Sequence, residues 1–299
     1  MARTSLLRRA VVALSALMIS FALLAGTAQA TKVPRVMAAL GDSITRGFNT
    51  SGPGCPSGPS LDCPQNSWAT GTNPEVDSVR ERLDAISPQP LTAYNDAVSG
   101  ARAVNLLGQA QTAAAQDPDF VLIEIGANDA CALPSPTPTA TFREQVREAF
   151  EVLVSANKQV YIQLMSIPDI NNLRTIFTEP PDPNAIGRWQ AFQVCQGLLV
   201  NPLSTAPVDE ERREAFRAQV IAYNEALAEV CAEFKRCIWD DEAVFESGFT
   251  TADVATVANT PTADYFHPSV SGQAKLAAAA WSPTFNDWRH RMGAMAHAG

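Results

Sequence analysis

The sequence predicts an α/β fold, a three-layer α/β/α sandwich around a parallel five-stranded sheet. Two observations carry this. Five short β-like runs, 35–40, 91–95, 120–125, 159–165 and 237–239, are spread along the chain, and helical patterns separate most of them. Strands that alternate with helices pair in parallel, because parallel neighbours need a crossover. No internal repeat and no long linker interrupts the pattern, so a single domain is expected over 31–299.

Residues 1–30 stand outside that domain. Arg3, Arg8 and Arg9 form a basic start, an apolar run follows, and Ala28-Gln29-Ala30 supplies a small-x-small cleavage site. A secretory signal peptide cut after Ala30 is expected, by the general secretory route and with no stable membrane anchor. Removing three Arg and no acid takes the formal charge from −9 to −12. An acidic exported chain argues against nucleic acid or an anionic membrane as partner, but not against neutral lipid or sugar. A monomer is expected.

The first run, 35–40, ends abruptly in Gly41-Asp42-Ser43. A serine on a turn at the carboxyl end of a strand sits where α/β sheets place their sites. Asp42 is expected to bond backbone and shape that turn. The segment 51–67 is rich in Gly, Pro and Ser and reads as a surface loop. After the run at 91–95, Gly100 falls in "NDAVSGARA", where a residue without Cβ lets backbone approach a substrate. The run at 120–125 leads directly into Gly126-Ala127-Asn128-Asp129, so two polar motifs should converge in space. A Pro-Thr loop follows at 134–141.

Phe142, Val146, Phe150 and Leu153, spaced four, four and three, give one apolar helix face, with Thr141 and Glu144 as its expected capping box. After the fourth run, Ile167, Pro168, Leu173, Phe177, Trp189 and Phe192 could line an acyl groove or serve as ordinary core. Phe216, Val220, Tyr223, Leu227, Val230 and Phe234 mark a longer helix, and "GQAKLAAAAW" a last one.

A serine hydroxyl needs a base. Of three histidines, His290 and His297 lie in the C-terminal twenty residues and read as tail. His267, in "ADYFHPSVSGQ", follows Asp264 by three residues, a spacing that lets the carboxylate fix the imidazole tautomer. Oxyanion donors would come from the Ser43 N–H, Gly100 and the Asn128 amide. The nucleophile-elbow pattern G-x-S-x-G is absent at Ser43, which weighs against the α/β-hydrolase fold.

These pieces resemble the SGNH (GDSL-type) hydrolase family. "GDSIT" at 41–45 matches its first block, Gly100 its second, "GAND" its third and "DYFHPS" its D-x-x-H block, all in order. The resemblance implies a flavodoxin-like sheet and ester hydrolysis through an acyl-enzyme. It assigns Ser43 as nucleophile, His267 as base, Asp264 as orienting acid, and Gly100 and Asn128 as oxyanion donors. No cofactor and no metal are expected.

Six cysteines, Cys55, Cys63, Cys131, Cys195, Cys231 and Cys237, form an even set in an exported chain and read as three disulfides. Reach and topology favour Cys55–Cys63, Cys131–Cys195 and Cys231–Cys237. The disulfides and the segment from Pro168 to Leu173 look most like the secreted lipase and phospholipase branch, which favours lipid or fatty-acyl esters. A sugar acetyl esterase, an acyltransferase, and a binding protein that kept the fold without the chemistry are the alternatives.

Overall fold

The computed structural model describes residues 33–281 apart from 53, 57–60, 259 and 261. The expected signal peptide, His290 and His297 therefore lie outside the described residues. Five strands form one parallel sheet: β1 (Val36–Gly41), β2 (Thr92–Asn95), β3 (Phe120–Glu124), β4 (Tyr161–Leu164) and β5 (Cys237–Trp239). Their spatial order is β2-β1-β3-β4-β5. The order reverses between β1 and β3, and such a switch point leaves a crevice at the strands' carboxyl ends.

The interior strands are apolar because both their faces are covered. Met37 to Leu40 and Val121 to Ile123 are fully buried, whereas edge strand β2 alternates exposed and half-buried residues. Among the helices, α1 (Val79–Ile86) joins β1 to β2, and α2 (Ala103–Ala115) crosses from β2 to β3. The short α3 (Ala127–Ala130) follows β3, and α4 (Thr139–Ala156) leads to β4. Between β4 and β5 come α5 (Ile170–Thr178), α6 (Pro183–Ala191), α7 (Gln196–Leu199) and α8 (Pro207–Glu233), and α9 (Val270–Trp281) closes the described chain. Right-handed crossovers place α1 on the opposite face from α2, α4 and α8. The packing agrees, since α4 lies between α2 and α8 while α9 packs on α1.

Some polar residues inside this frame have structural partners. Gln163 of β4 is buried and its amide donates to the Ala280 carbonyl at 2.7 Å, stitching α9 to the sheet. The capping box expected at Thr141 and Glu144 is not there. α4 begins three residues earlier, behind Pro138 and without a side-chain cap, so Thr141 is already inside the first turn. Glu144 instead pairs with Arg147 at 2.6 Å. A capping box does open α1, where Ser78 and Glu81 bond each other's backbone.

The disulfides are Cys55–Cys63, Cys131–Cys195 and Cys231–Cys237. The first closes the 51–67 loop, the last ties the end of α8 to β5, and the middle one spans 64 residues. The Pro-Thr loop is anchored rather than free: Thr137 donates its hydroxyl to Asp129 Oδ1 at 2.7 Å and its N–H to the Asp129 carbonyl.

Candidate active site

Gly41 ends β1 opposite Glu124 and turns at φ +141°, where a Cβ would lie 2.1 Å from the Glu124 carbonyl oxygen. Only glycine fits a backbone approach this close. Two glutamines hold the turn from opposite layers. Gln109 of α2 accepts from the Gly41 N–H at 2.8 Å and donates to its carbonyl at 2.9 Å. Gln273 of α9 donates to the Ile44 carbonyl and accepts from the Trp68 N–H, both at 2.8 Å. Neither was singled out in the sequence. Their only signal was a glutamine on an otherwise small, apolar helix face.

Ser43 is thereby fixed with its Oγ 2.8 Å from His267 Nε2. His267 Nδ1 lies 2.5 Å from Asp264 Oδ2, and Asp264 Oδ1 accepts the backbone N–H groups of Phe266 and His267 at 2.9 and 3.0 Å. One carboxylate thus shapes its own turn and orients the imidazole. Tyr265 between them adopts φ +57° and is buried. That conformation is unfavourable for a bulky residue and persists where packing over-determines it.

 Phe177 meets the Tyr265 ring edge-on at 5.3 Å, and Trp189 Nε1 donates to the Tyr265 carbonyl at 3.0 Å.

The expected oxyanion groups lie past the carboxyl ends of β1, β2 and β3. The N–H groups of Ser43 and Gly100 donate to no protein acceptor among the described residues. Gly100 sits at φ +81° with open space where a Cβ would be, so backbone conformation rather than crowding favours glycine there. Asn128, in α3, donates its amide to Asp42 Oδ2 at 3.1 Å and to the Ala101 carbonyl at 3.0 Å. Both amide hydrogens are therefore occupied in this state, and an oxyanion would have to share one or replace the Ala101 carbonyl. Asp129 ties the neighbouring segments together by accepting the Ala103 N–H at 2.9 Å.

Electrostatics follow from burial and partners. Burial pushes the Asp264 carboxyl up, but the His267 charge and three hydrogen bonds outweigh it and hold Asp264 below its usual value. Burial pushes the His267 imidazole down, but Asp264 next, with Asp42 and Asp62 behind it, holds it above its usual value. Asp42 is fully buried, and desolvation raises it to about 6 against the hydrogen bonds from Ile44 and Asn128. Its Oδ1 accepts the Ile44 N–H at 2.9 Å, the turn-shaping contact expected for it.

An apolar cleft opens against His267. Its walls include Ile44, Leu173, Phe245, Phe249 and Phe266. Of the residues read as an acyl groove, Pro168 and Leu173 line this cleft. Ile167, Phe177 and Trp189 are buried core, and Phe192 is exposed beneath the Arg188 guanidinium. Among the described residues, no group of three His, Cys, Asp or Glu side chains is placed to hold a metal ion.

A family model for the GDSL-like lipase/acylhydrolase family matches residues 39–275. The chain belongs to that family. Among curated proteins, the membrane-associated phospholipase B1 of Rattus norvegicus is 25% identical over 181 residues, which cover 49% of this chain and 12% of the relative. The chain thus spans about an eighth of the length of that relative. Two solved structures share the fold. A lipase/acylhydrolase from Enterococcus faecalis is 19% identical at a TM-score of 0.51, covering 86% of this chain and 96% of its own. Phospholipase A1 from Streptomyces albidoflavus NA297 is 17% identical at a TM-score of 0.50, covering 85% and 99%.

Proposed function

We propose that the protein is a secreted serine esterase or lipase that cleaves lipid or fatty-acyl esters through an acyl-enzyme. Ser43 Oγ attacks the ester carbonyl while His267 Nε2 takes its proton. Asp264 holds the imidazole in the required tautomer and offsets the charge it gains. The tetrahedral oxyanion faces the N–H groups of Ser43 and Gly100, and the Asn128 amide turns to it from the Ala101 carbonyl. Collapse expels the alcohol, which takes the proton from His267. Water then attacks acyl-Ser43 with His267 again as base, and the carboxylic acid leaves.

The observation that carries the lipid reading is the phenylalanine-rich cleft beside His267. A site with apolar walls and few polar groups suits a hydrocarbon chain better than a sugar. The phospholipase names of the relatives support the same class. Three disulfides support export, with a mature N-terminus at Thr31. The acidic charge supports a partner list without nucleic acid, and the protein is taken to act as a monomer.

The test is a series of p-nitrophenyl esters of increasing acyl length, run beside a phospholipid and an acetylated xylan. The expected result is a kcat/KM that rises with chain length until the cleft is filled. A preference for acetate, or activity on the xylan alone, would move the assignment to a carbohydrate esterase.

A further inference from the structure

Glu124 closes β3, opposite Gly41 in the parallel register. Its side chain is buried at 1% exposure, and neither carboxyl oxygen has a hydrogen-bond partner among the described residues. An orphaned buried carboxyl is costly and calls for an explanation. The charged groups that act on it are Asp42, just past β1, and Asp240, just past β5. Both are fully buried as well. Three buried acids therefore lie along the carboxyl end of the sheet, with Asp42 and Glu124 next to the Ser43 turn and Asp240 past the edge strand β5.

Three like charges cannot all persist in one dry region, so at least one acid keeps its proton. The donors decide which. Asp42 accepts from the Ile44 N–H at 2.9 Å and the Asn128 amide at 3.1 Å. Asp240 accepts from the Ser166 hydroxyl at 2.7 Å, the Val244 N–H at 3.1 Å and the Glu242 N–H at 3.2 Å. Donors favour the charged form of a carboxyl, and Glu124 has none.

We infer that Glu124 is a positioning residue that carries a proton in the working protein, leaving Asp42 as the ionised acid beneath the Ser43 turn. Its effect on rate rests on the Ser43–His267 reading; its protonation does not. The Asp42 anion accepts from the Asn128 amide and raises His267, so the proton on Glu124 keeps a second negative charge away from the acid that does both. Burial first, then Asp42 and Asp240, holds the Glu124 carboxyl well above the usual glutamate value of 4.5. A raised carboxyl leaves stability intact below that usual value. Stability then falls as pH climbs from there through the folded value.

The test uses Glu124→Gln and, should the amide be poorly accommodated, Glu124→Leu. In a Ser43→Ala background, infrared spectra at neutral pH should show a protonated-carboxyl carbonyl band that both Glu124 variants lack. The difference in Tm between variant and parent should drift in the variant's favour, by several degrees, as pH rises from acid to neutral. With Ser43 intact, the ratio of kcat at alkaline to neutral pH should rise at least ~2-fold in the variants, because the parent loses its proton and they cannot. Absence of the band, or a Tm difference that drifts in the parent's favour, would overturn the protonated state. An unchanged kcat ratio would overturn the positioning role. Residual activity in Ser43→Ala would instead count against the site reading and leave the infrared and Tm readouts standing.

Discussion

Asp264 and His267 come from one four-residue segment, whereas Ser43, Gly100 and Asn128 come from the ends of three different strands. The first half is local. Asp264 caps its own turn and bonds the imidazole, and an aromatic cluster of Tyr265, Phe177 and Trp189 holds the strained link between them. The second half is assembled at long range, through Gln109, Gln273 and Asp42 reaching from separate elements. A local half should fail by small geometric loosening. The assembled half should fail by loss of charge balance and of shared hydrogen bonds.

Removing the reacting groups joins the two halves and should give the largest effect. Ser43→Ala should cost ~10⁴-fold or more in kcat, and adding His267→Ala should cost little further, because the pair acts as a unit. Independent, multiplying losses would show that the two halves do not work together. Asn128→Ala comes next, with kcat lower by roughly 10²–10³ and a smaller change in KM. A raised KM at constant kcat would place Asn128 in substrate binding. Thermal unfolding of the same variant separates the loss of its ties to Asp42 and Ala101 from the loss of rate.

Replacing Cys131 and Cys195 by Ser opens the 64-residue loop and should cost on the order of 3–4 kcal/mol on the chain-entropy account. Cys131 caps the helix that carries Asn128, so kcat should fall too. A change in denaturation midpoint with kcat intact would confine the bridge to stability. The local half is sharpened by Trp189→Phe, which leaves the Tyr265 carbonyl without its donor and should cost about 1–3 kcal/mol. Its rate effect should be only a few-fold and should fall on kcat.

The smallest effect is a shift in pH dependence. Catalysis needs neutral His267, so kcat/KM should fall on the acid side as the imidazole is protonated, at a pH set jointly with Asp42. Asp264→Asn removes the charge that raises His267, so this limb should move to lower pH as kcat drops. In stability, the raised His267 contributes below its ordinary 6.5 and loses that contribution as pH rises through its folded value. The depressed Asp264 contributes above 3.8 and loses that contribution as pH falls through its folded value. An acid limb unmoved in Asp264→Asn would uncouple the two residues.

What could be read from sequence follows the same division. Ser43, Asp264 and His267 sit in short motifs whose spacing states their relation, and the strands announce themselves by apolar runs. The supports were hidden because their partners are remote in the chain. Gln109 reaches Gly41 across 68 residues, and Gln273 reaches Ile44 across 229. The cleft was only half visible because Phe245, Phe249 and Phe266 follow the fifth strand, while the groove was sought after the fourth. Trp189 and Phe177 were seen, but their work is to brace Tyr265 inside the core. Thr141 and Glu144 matched a capping pattern that Pro138 pre-empted by starting the helix earlier. Glu124 carried one sign, an acid closing an otherwise apolar strand, and its meaning needed the positions of Asp42 and Asp240.

The central claim is that Ser43, activated by His267 2.8 Å away, is the nucleophile of an ester hydrolase. The most direct measurement is intact-mass and peptide mapping of the mature protein after treatment with an organophosphonate ester. The account predicts one adduct per chain, on Ser43, formed in step with the loss of esterase activity and strongly slowed in His267→Ala. Full loss of activity with the adduct on another residue, or an active enzyme that leaves Ser43 unlabelled, would contradict it.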